Sequence, residues 1–209
     1  MQLKDKIIHE ALRQFSAKGF LNTSTTDIIQ AVGTSKGGLY NHFKSKEHLF
    51  FEALSQARKI WRERNLSGVD QIQRPVDKLK QILNNYKDLY LPDAHNLPGG
   101  CIFVNLAVEL SDQRPHLAEA VNDGFMRFKR MIKRLLDQAK TDGDLLPGVD
   151  SARVAEMVFA GLLGACVMYS SDKSRENLDR SIGALIEHLS LISQQSHTAG
   201  PIAGTAVQR

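Results

Sequence analysis

Cysteine is scarce in this chain. Cys101 and Cys166 are the only two among 209 residues, and lying far apart in the chain they suggest neither a disulfide framework nor a CxxC metal site. Proline is rare, with six residues, and tryptophan occurs once. The opening MQLKDKIIHE is charged throughout, unlike a signal peptide, and no apolar run reaches membrane-spanning length. The sequence has no phosphate loop, paired-carboxylate motif, HExxH spacing or internal repeat. A cytoplasmic protein with no membrane partner is therefore expected, and no reading below requires a metal or cofactor.

What remains is ordinary for a soluble globular protein: 42% hydrophobic and 24% charged residues. The net charge is +4 but unevenly placed. Residues 1–65 carry 11 Lys and Arg against 6 Asp and Glu, while the remainder carries 16 against 17. A basic head on a nearly neutral body is the footprint of phosphate binding.

Residues 24–48 read as two short helices joined by a tight turn. Ser24 and Asp27 have the spacing of a capping box, so a helix starts at Thr25. Ile28, Ile29 and Val32 supply its apolar side, and Gly33 suits its left-handed end. Ser35 can cap a second helix over Lys36 to Phe43, with Leu39 and Phe43 on one face. Gly37 and Asn41 centre the opposite face, flanked by Lys36, Tyr40 and His42, with Lys44 and Lys46 following. Gly37 and Gly38 each cost a helix about 1 kcal/mol relative to Ala. Close backbone approach to an external partner is a reason to accept that cost. A tight pair of helices with such a polar face is a helix-turn-helix, whose second helix enters the major groove.

These residues carry a family resemblance. TTDIIQAVGTSKGGLYNHFKSKEHLF resembles the DNA-binding segment of the tetracycline-repressor (TetR/AcrR) family of bacterial transcriptional regulators. The resemblance implies that Thr25 or Thr26 touches phosphate and that Lys36, Gly37 and Asn41 face base edges. It further implies that Tyr40, His42 and Lys46 meet backbone phosphates. With Ser35 and Lys44, these form the expected interface with double-stranded DNA, a palindromic operator bound by a homodimer.

The rest of the chain also reads as helical, so the expected fold is all-α with about nine helices. Residues 1–62 form the DNA-binding domain and residues 63–194 a ligand-binding and dimerisation domain. SQQSHTAGPIAGTAVQR suggests a disordered tail at 195–209. Ile7, Ile8, Ala11, Leu12 and Phe15 make a first helical stripe, ended by Gly19, with Phe20 and Leu21 filling the gap behind the motif. A helix from Ser45 to about Arg64 joins head to body. Pro75 opens another, with Val76, Leu79, Ile82, Leu83, Tyr86 and Leu89 at core spacing. A basic run, Arg127 to Arg134, follows one side of the Arg114–Lys140 helix and reads as a solvated face.

The last two helices carry the oligomer argument. Val154 to Tyr169 is apolar nearly all round, and at 16 residues is too short to span a bilayer. Ala160, Gly161, Gly164 and Ala165 form a small-residue patch, and Leu178, Ile182, Leu185 and Leu189 line the next helix. Together they predict a four-helix interface with a second copy.

A small-molecule pocket is sought among Tyr86, Tyr90, Phe103, Phe125, Phe128, Phe159 and Met168. Cys101 follows Pro98-Gly99-Gly100 at a helix start, where aligned amides favour thiolate. The stretch GCIFVNLAVELSD resembles that of a TetR subgroup containing repressors that respond to electrophiles of the N-ethylmaleimide type through a cysteine here. Those proteins carry a lysine in the penultimate helix, where this chain has Tyr169 and Ser170. Cys101 therefore reads either as an electrophile sensor or as a small buried residue beside a noncovalent pocket, and Cys166 as core. A different class of reading is a helical thiol-dependent enzyme using Cys101 with His95 or His116.

Overall fold

The computed structural model describes residues 1–194. The expected tail, residues 195–209, lies outside the described residues. Among those described there are nine α-helices and no strand beyond one isolated bridge between Leu145 and Ser193.

Helices α1 (Leu3–Lys18), α2 (Thr25–Val32) and α3 (Lys36–Tyr40) form the head. Phe15, Phe20 and Phe50 meet edge to face or tilted at its centre, and Ile7, Leu12, Ile28, Leu39 and Phe43 are fully buried around them. Each such side chain contributes about 1.5–3 kcal/mol by leaving water. Leu21, by contrast, is only half-buried. Phe50 lies on α4 (Lys46–Asn65), the helix that leaves the head and runs into the body.

The body contains α5 (Pro75–Asn85), α6 (Ile102–Leu110), α7 (Pro115–Thr141), α8 (Ser151–Asp172) and α9 (Arg175–Leu191). After α5 the chain widens into a π-helical turn over Tyr86–Tyr90, with Leu91 N donating to Tyr86 O at 3.0 Å. The wider turn shifts the helical face by one residue. Leu89, expected in the core, is consequently 40% exposed.

Helix α8 departs most from expectation. Asp150 accepts from Ala152 N at 2.9 Å and Arg153 N at 3.2 Å, starting the helix three residues early. It continues to Asp172 and stops at Lys173, whose φ of 54° is left-handed. At 22 residues and a mean hydropathy of 1.5, α8 is long and apolar enough to cross a membrane by length and composition. The reading that it is too short is thus corrected. Its place in this fold is against α7 and α9, where Val158, Leu162 and Cys166 are buried.

The interface residues divide. Ala165, Leu178, Ile182 and Leu189 are buried inside their own chain and cannot form an exposed interface, correcting that assignment. Periodicity alone could not say which side of two apolar helices faces inward. Gly161 also serves the chain itself: a β-carbon there would stand 2.7 Å from Leu185 Cδ2 on α9. Ala160 and Gly164 do face outward, in a row with Met157 and Met168 at helical spacing, and Gly183, Ala184 and Leu191 of α9 are exposed as well.

Gly161→Val should force α8 and α9 apart and lower stability by about 1–3 kcal/mol. Urea unfolding checks this, and an unchanged midpoint would show that Leu185 has room to move.

Candidate nucleic-acid interface and its link to the body

The motif is built by caps. Ser24 Oγ accepts from Asp27 N at 3.0 Å, and Asp27 Oδ2 accepts from Ser24 N at 2.9 Å. These bonds to Ser24 hold the Asp27 carboxyl below its usual pKa. Gly33 ends α2 with φ of 72°, and Ser35 Oγ accepts from Gly38 N at 3.0 Å to start α3. Ser45 Oγ accepts from His48 N at 3.0 Å to start α4.

Helix α3 ends at Tyr40, three residues before the expected Phe43. His42 N and Phe43 N both donate to Leu39 O at 3.0 Å, so the chain tightens and turns Phe43 into the core. Asn41 and His42 therefore stand in the turn after the helix. Thr26, Lys36, Gly37, Tyr40, Asn41, His42 and Lys44 form an exposed polar surface, with Ser35 also exposed and Thr25 half-buried.

The two glycines separate. A β-carbon at Gly38 would meet Thr34 Oγ1 at 2.4 Å, so that glycine answers a constraint inside the turn. The nearest atom to a β-carbon at Gly37 is Ser35 Oγ at 3.7 Å, an ordinary contact. Only Gly37 leaves its bare backbone without an internal reason.

Lys46 is half-buried, its ammonium 4.2 Å from the centroid of the Phe20 ring. Burial pushes its pKa down and the nearby Arg114 adds to this, while Glu109 opposes it. The lysine thus marks the seam between head and body.

That seam is held from α6. Glu109 accepts from Phe20 N at 2.7 Å and from Leu21 N at 2.8 Å. Gly19, at φ of 84°, makes room, since a β-carbon there would lie 2.3 Å from Glu109 Oε1. At the other end of α6, Gly99 N donates to Ser16 Oγ at 3.1 Å, and Asn105 Nδ2 reaches Ser16 O and Gly99 O. A β-carbon at Gly99 would overlap Ser16 O. A cleft of about 430 Å³ opens beside these contacts, lined by Lys18, Asn22, Val108, Glu109, Val167 and Ser170 among others.

The aromatic residues form a packed cluster. Tyr86 stacks on Phe128 and meets Tyr90 edge to face, and Phe159 meets both Phe125 and Phe128. Phe103 is buried, whereas Met168 is 54% exposed on the outer side of α8 and does not belong with them. Trp61 of α4 joins them, 5.1 Å from Phe128 and donating Nε1–H to the Tyr86 hydroxyl. Its place was not evident in sequence, because α4 and α7 are remote along the chain.

Cys101 and Cys166 are both buried and meet here. The hydrogen bond between them lowers the Cys101 pKa and burial opposes this, with the amides of Val104 and Phe103 and the Tyr90 hydroxyl, 3.9 Å from Cys101 Sγ, also favouring thiolate. The same bond and burial push Cys166 up. Lys173 supplies a lysine from beyond the Tyr169-Ser170 positions: a β-carbon at Gly100 would stand 3.3 Å from its ammonium.

Comparison with known proteins agrees with this arrangement. The family model of bacterial regulatory proteins, tetR family, matches residues 7–53, and that of the tetracyclin repressor-like C-terminal domain matches residues 75–185. The chain belongs to the tetR family. It is 44% identical over 63 residues to the HTH-type transcriptional regulator QacR of Staphylococcus aureus, covering 30% of this chain and 34% of that protein. Similarity to the HTH-type transcriptional repressor ComR of Escherichia coli runs over 193 residues at 22% identity, covering 88% and 87%. A crystal structure of a TetR regulator from Chloroflexus aurantiacus superposes with a TM-score of 0.84 at 27% identity, covering 93% of this chain and 97% of that one.

As a tetR-family member the chain is a soluble DNA-binding transcription regulator and not an enzyme. The two histidines of the thiol-enzyme reading have contacts elsewhere. His95 lies 5.1 Å from His9, and His116 pairs with Glu47 at 3.2 Å.

Glu109→Ala should leave the Phe20 and Leu21 amides without their acceptor and loosen the head. Hydrogen exchange at those two amides is expected to rise about tenfold while the body core stays protected. Unchanged protection would remove Glu109 from the seam.

Proposed function

We propose that this tetR-family regulator is a homodimeric, cytoplasmic repressor that reads a palindromic operator with the turn and helix around α3. Residues 1–62 serve as the reading head and residues 63–194 as the body that senses and dimerises. A small molecule or modification of a cysteine releases it. The observation that carries the reading is the exposed row Lys36, Gly37, Tyr40, Asn41 and His42 on a motif whose helix starts are all capped. Bare backbone at Gly37 can approach the groove, while Lys36, Tyr40, His42 and Lys44 offer donors to phosphate and base edges. Two such heads about one helical turn apart match an operator with two-fold symmetry. The outward row on α8, centred on Ala160 and Gly164, is the surface through which the second copy docks.

Release begins at Cys101. Its thiol sits at the start of α6, and Glu109, which holds the head, sits near that helix's end. Adding a group to a buried thiol forces neighbouring side chains aside. The nine residues of α6 are a rigid rod about 13 Å long, so displacement at Cys101 reaches the Glu109 contacts. The body thereby changes the separation of the heads and the affinity for DNA.

Binding to DNA from immediately upstream of the coding region, at fixed salt, tests this. Tyr40→Ala and His42→Ala together should weaken binding on all sequences while leaving the slope of log affinity against log salt nearly unchanged, since neither side chain is a cation that displaces counterions at pH 7. Unaltered binding would overturn the assignment of the head. Gly164→Leu should shift the protein toward monomer in equilibrium sedimentation, and an intact dimer would refute that interface. A quinone should release the parent protein by adding to the Cys101 thiol, the sulfur–carbon bond forming as the ring takes up the thiol proton and becomes a hydroquinone, an adduct that reductant does not reverse, whereas Cys101→Ser should stay bound. A variant released as readily as the parent would exclude Cys101.

A further inference from the structure

Arg58 lies on α4, the helix rooted in the head, and it is half-buried against α7. One of its terminal nitrogens donates to Ala120 O at 2.6 Å. Its Nε is buried and has no partner. Arg62, one turn further along α4, is exposed on the same side. On α7, Arg127 follows Ala120 by seven residues, about two turns, and so lies on the same line of that helix. The contact of Trp61 with Phe128 at 5.1 Å brings this level of the two helices together.

Among the described residues, none of these three arginines has a carboxylate within 4.0 Å. Asp123 is the acid whose field reaches Arg58, and Arg62 and Arg127 work against it. Glu63, also on α4, is paired with Lys59 at 3.9 Å. A partly desolvated guanidinium with two like neighbours and an unused donor is electrostatically unsatisfied. A planar fork of this kind suits phosphate or carboxylate oxygens, taken two at a time.

We propose that the seam of α4 and α7 is a binding site for a small anion bearing several negative charges, a phosphorylated or polycarboxylate compound, held by Arg58, Arg62 and Arg127. The anion removes the repulsion among the three cations. It also ties α4 to the body at the level of the Trp61–Phe128 contact. The site needs no DNA and stands apart from the regulator reading.

Trp61, the one tryptophan of the chain, lies between Arg58 and Arg62 in sequence and reports occupancy. The full-length protein without DNA should show a saturable change in Trp61 fluorescence on titration with inorganic pyrophosphate. Sodium chloride at equal ionic strength should not reproduce it. Arg127→Ser, a change at an exposed side chain, should weaken the response about tenfold, the loss of one charge-assisted bond. Lys36→Ser, on the DNA-facing side, should leave it unaltered. A change matched by chloride, equal affinity in Arg127→Ser, or loss in Lys36→Ser would each overturn the proposal.

Discussion

One carboxylate ties the two halves of this protein together. Glu109 belongs to the body, yet both its oxygens are taken up by backbone amides of the head. Side chains at Phe20 and Leu21 could change without altering that contact, because the donors are main-chain groups. The steric requirement falls on Gly19, which must be bare both for its left-handed backbone and for the approach of the carboxylate. Asn105 and Gly99 extend the same seam, so α6 lies along the end of α1 and does not merely touch it. Head orientation is therefore coupled to where α6 sits.

Much of the architecture was legible because its determinants are local. The capping box at Ser24 and Asp27, the helix end at Gly33 and the proline start at Pro75 depend on residues a few positions apart. The missed features were of two kinds. Some are local but outvoted by packing: α3 stops at Tyr40 because Phe43 has to enter the core, and Leu89 is turned outward by the π-helical turn that contains it. Others are non-local. Nothing in one strand of text says that Cys101 meets Cys166, that Trp61 joins the aromatic cluster, or that Glu109 reaches Phe20.

Helix α8 illustrates a third difficulty. Its composition is apolar on all sides, so periodicity carries no information about which face turns inward. The answer comes from its neighbours. Leu185 of α9 needs the space at Gly161, which fixes that side as internal and leaves Gly164 facing out. Two glycines three residues apart thus do different things, one admitting a helix of the same chain and the other leaving a surface open. The pair Gly37 and Gly38 repeats the lesson in the head, where Thr34 accounts for one and nothing within the protein accounts for the other.

The scale of regulation follows from these contacts. A hydrogen-bonded charged group of this kind contributes about 1.5–3 kcal/mol, reduced here because Glu109 is only half-buried and water can replace part of it. If the Glu109 contact favours the DNA-competent head, its loss changes operator affinity by roughly tenfold for each kcal/mol and a half. Two heads in a dimer act on one operator, so the factors multiply. A ligand or modification can exploit no more than its own preference between the two arrangements of α6. On the proposed release through Cys101, a preference of this kind acting at both protomers would count twice at one operator.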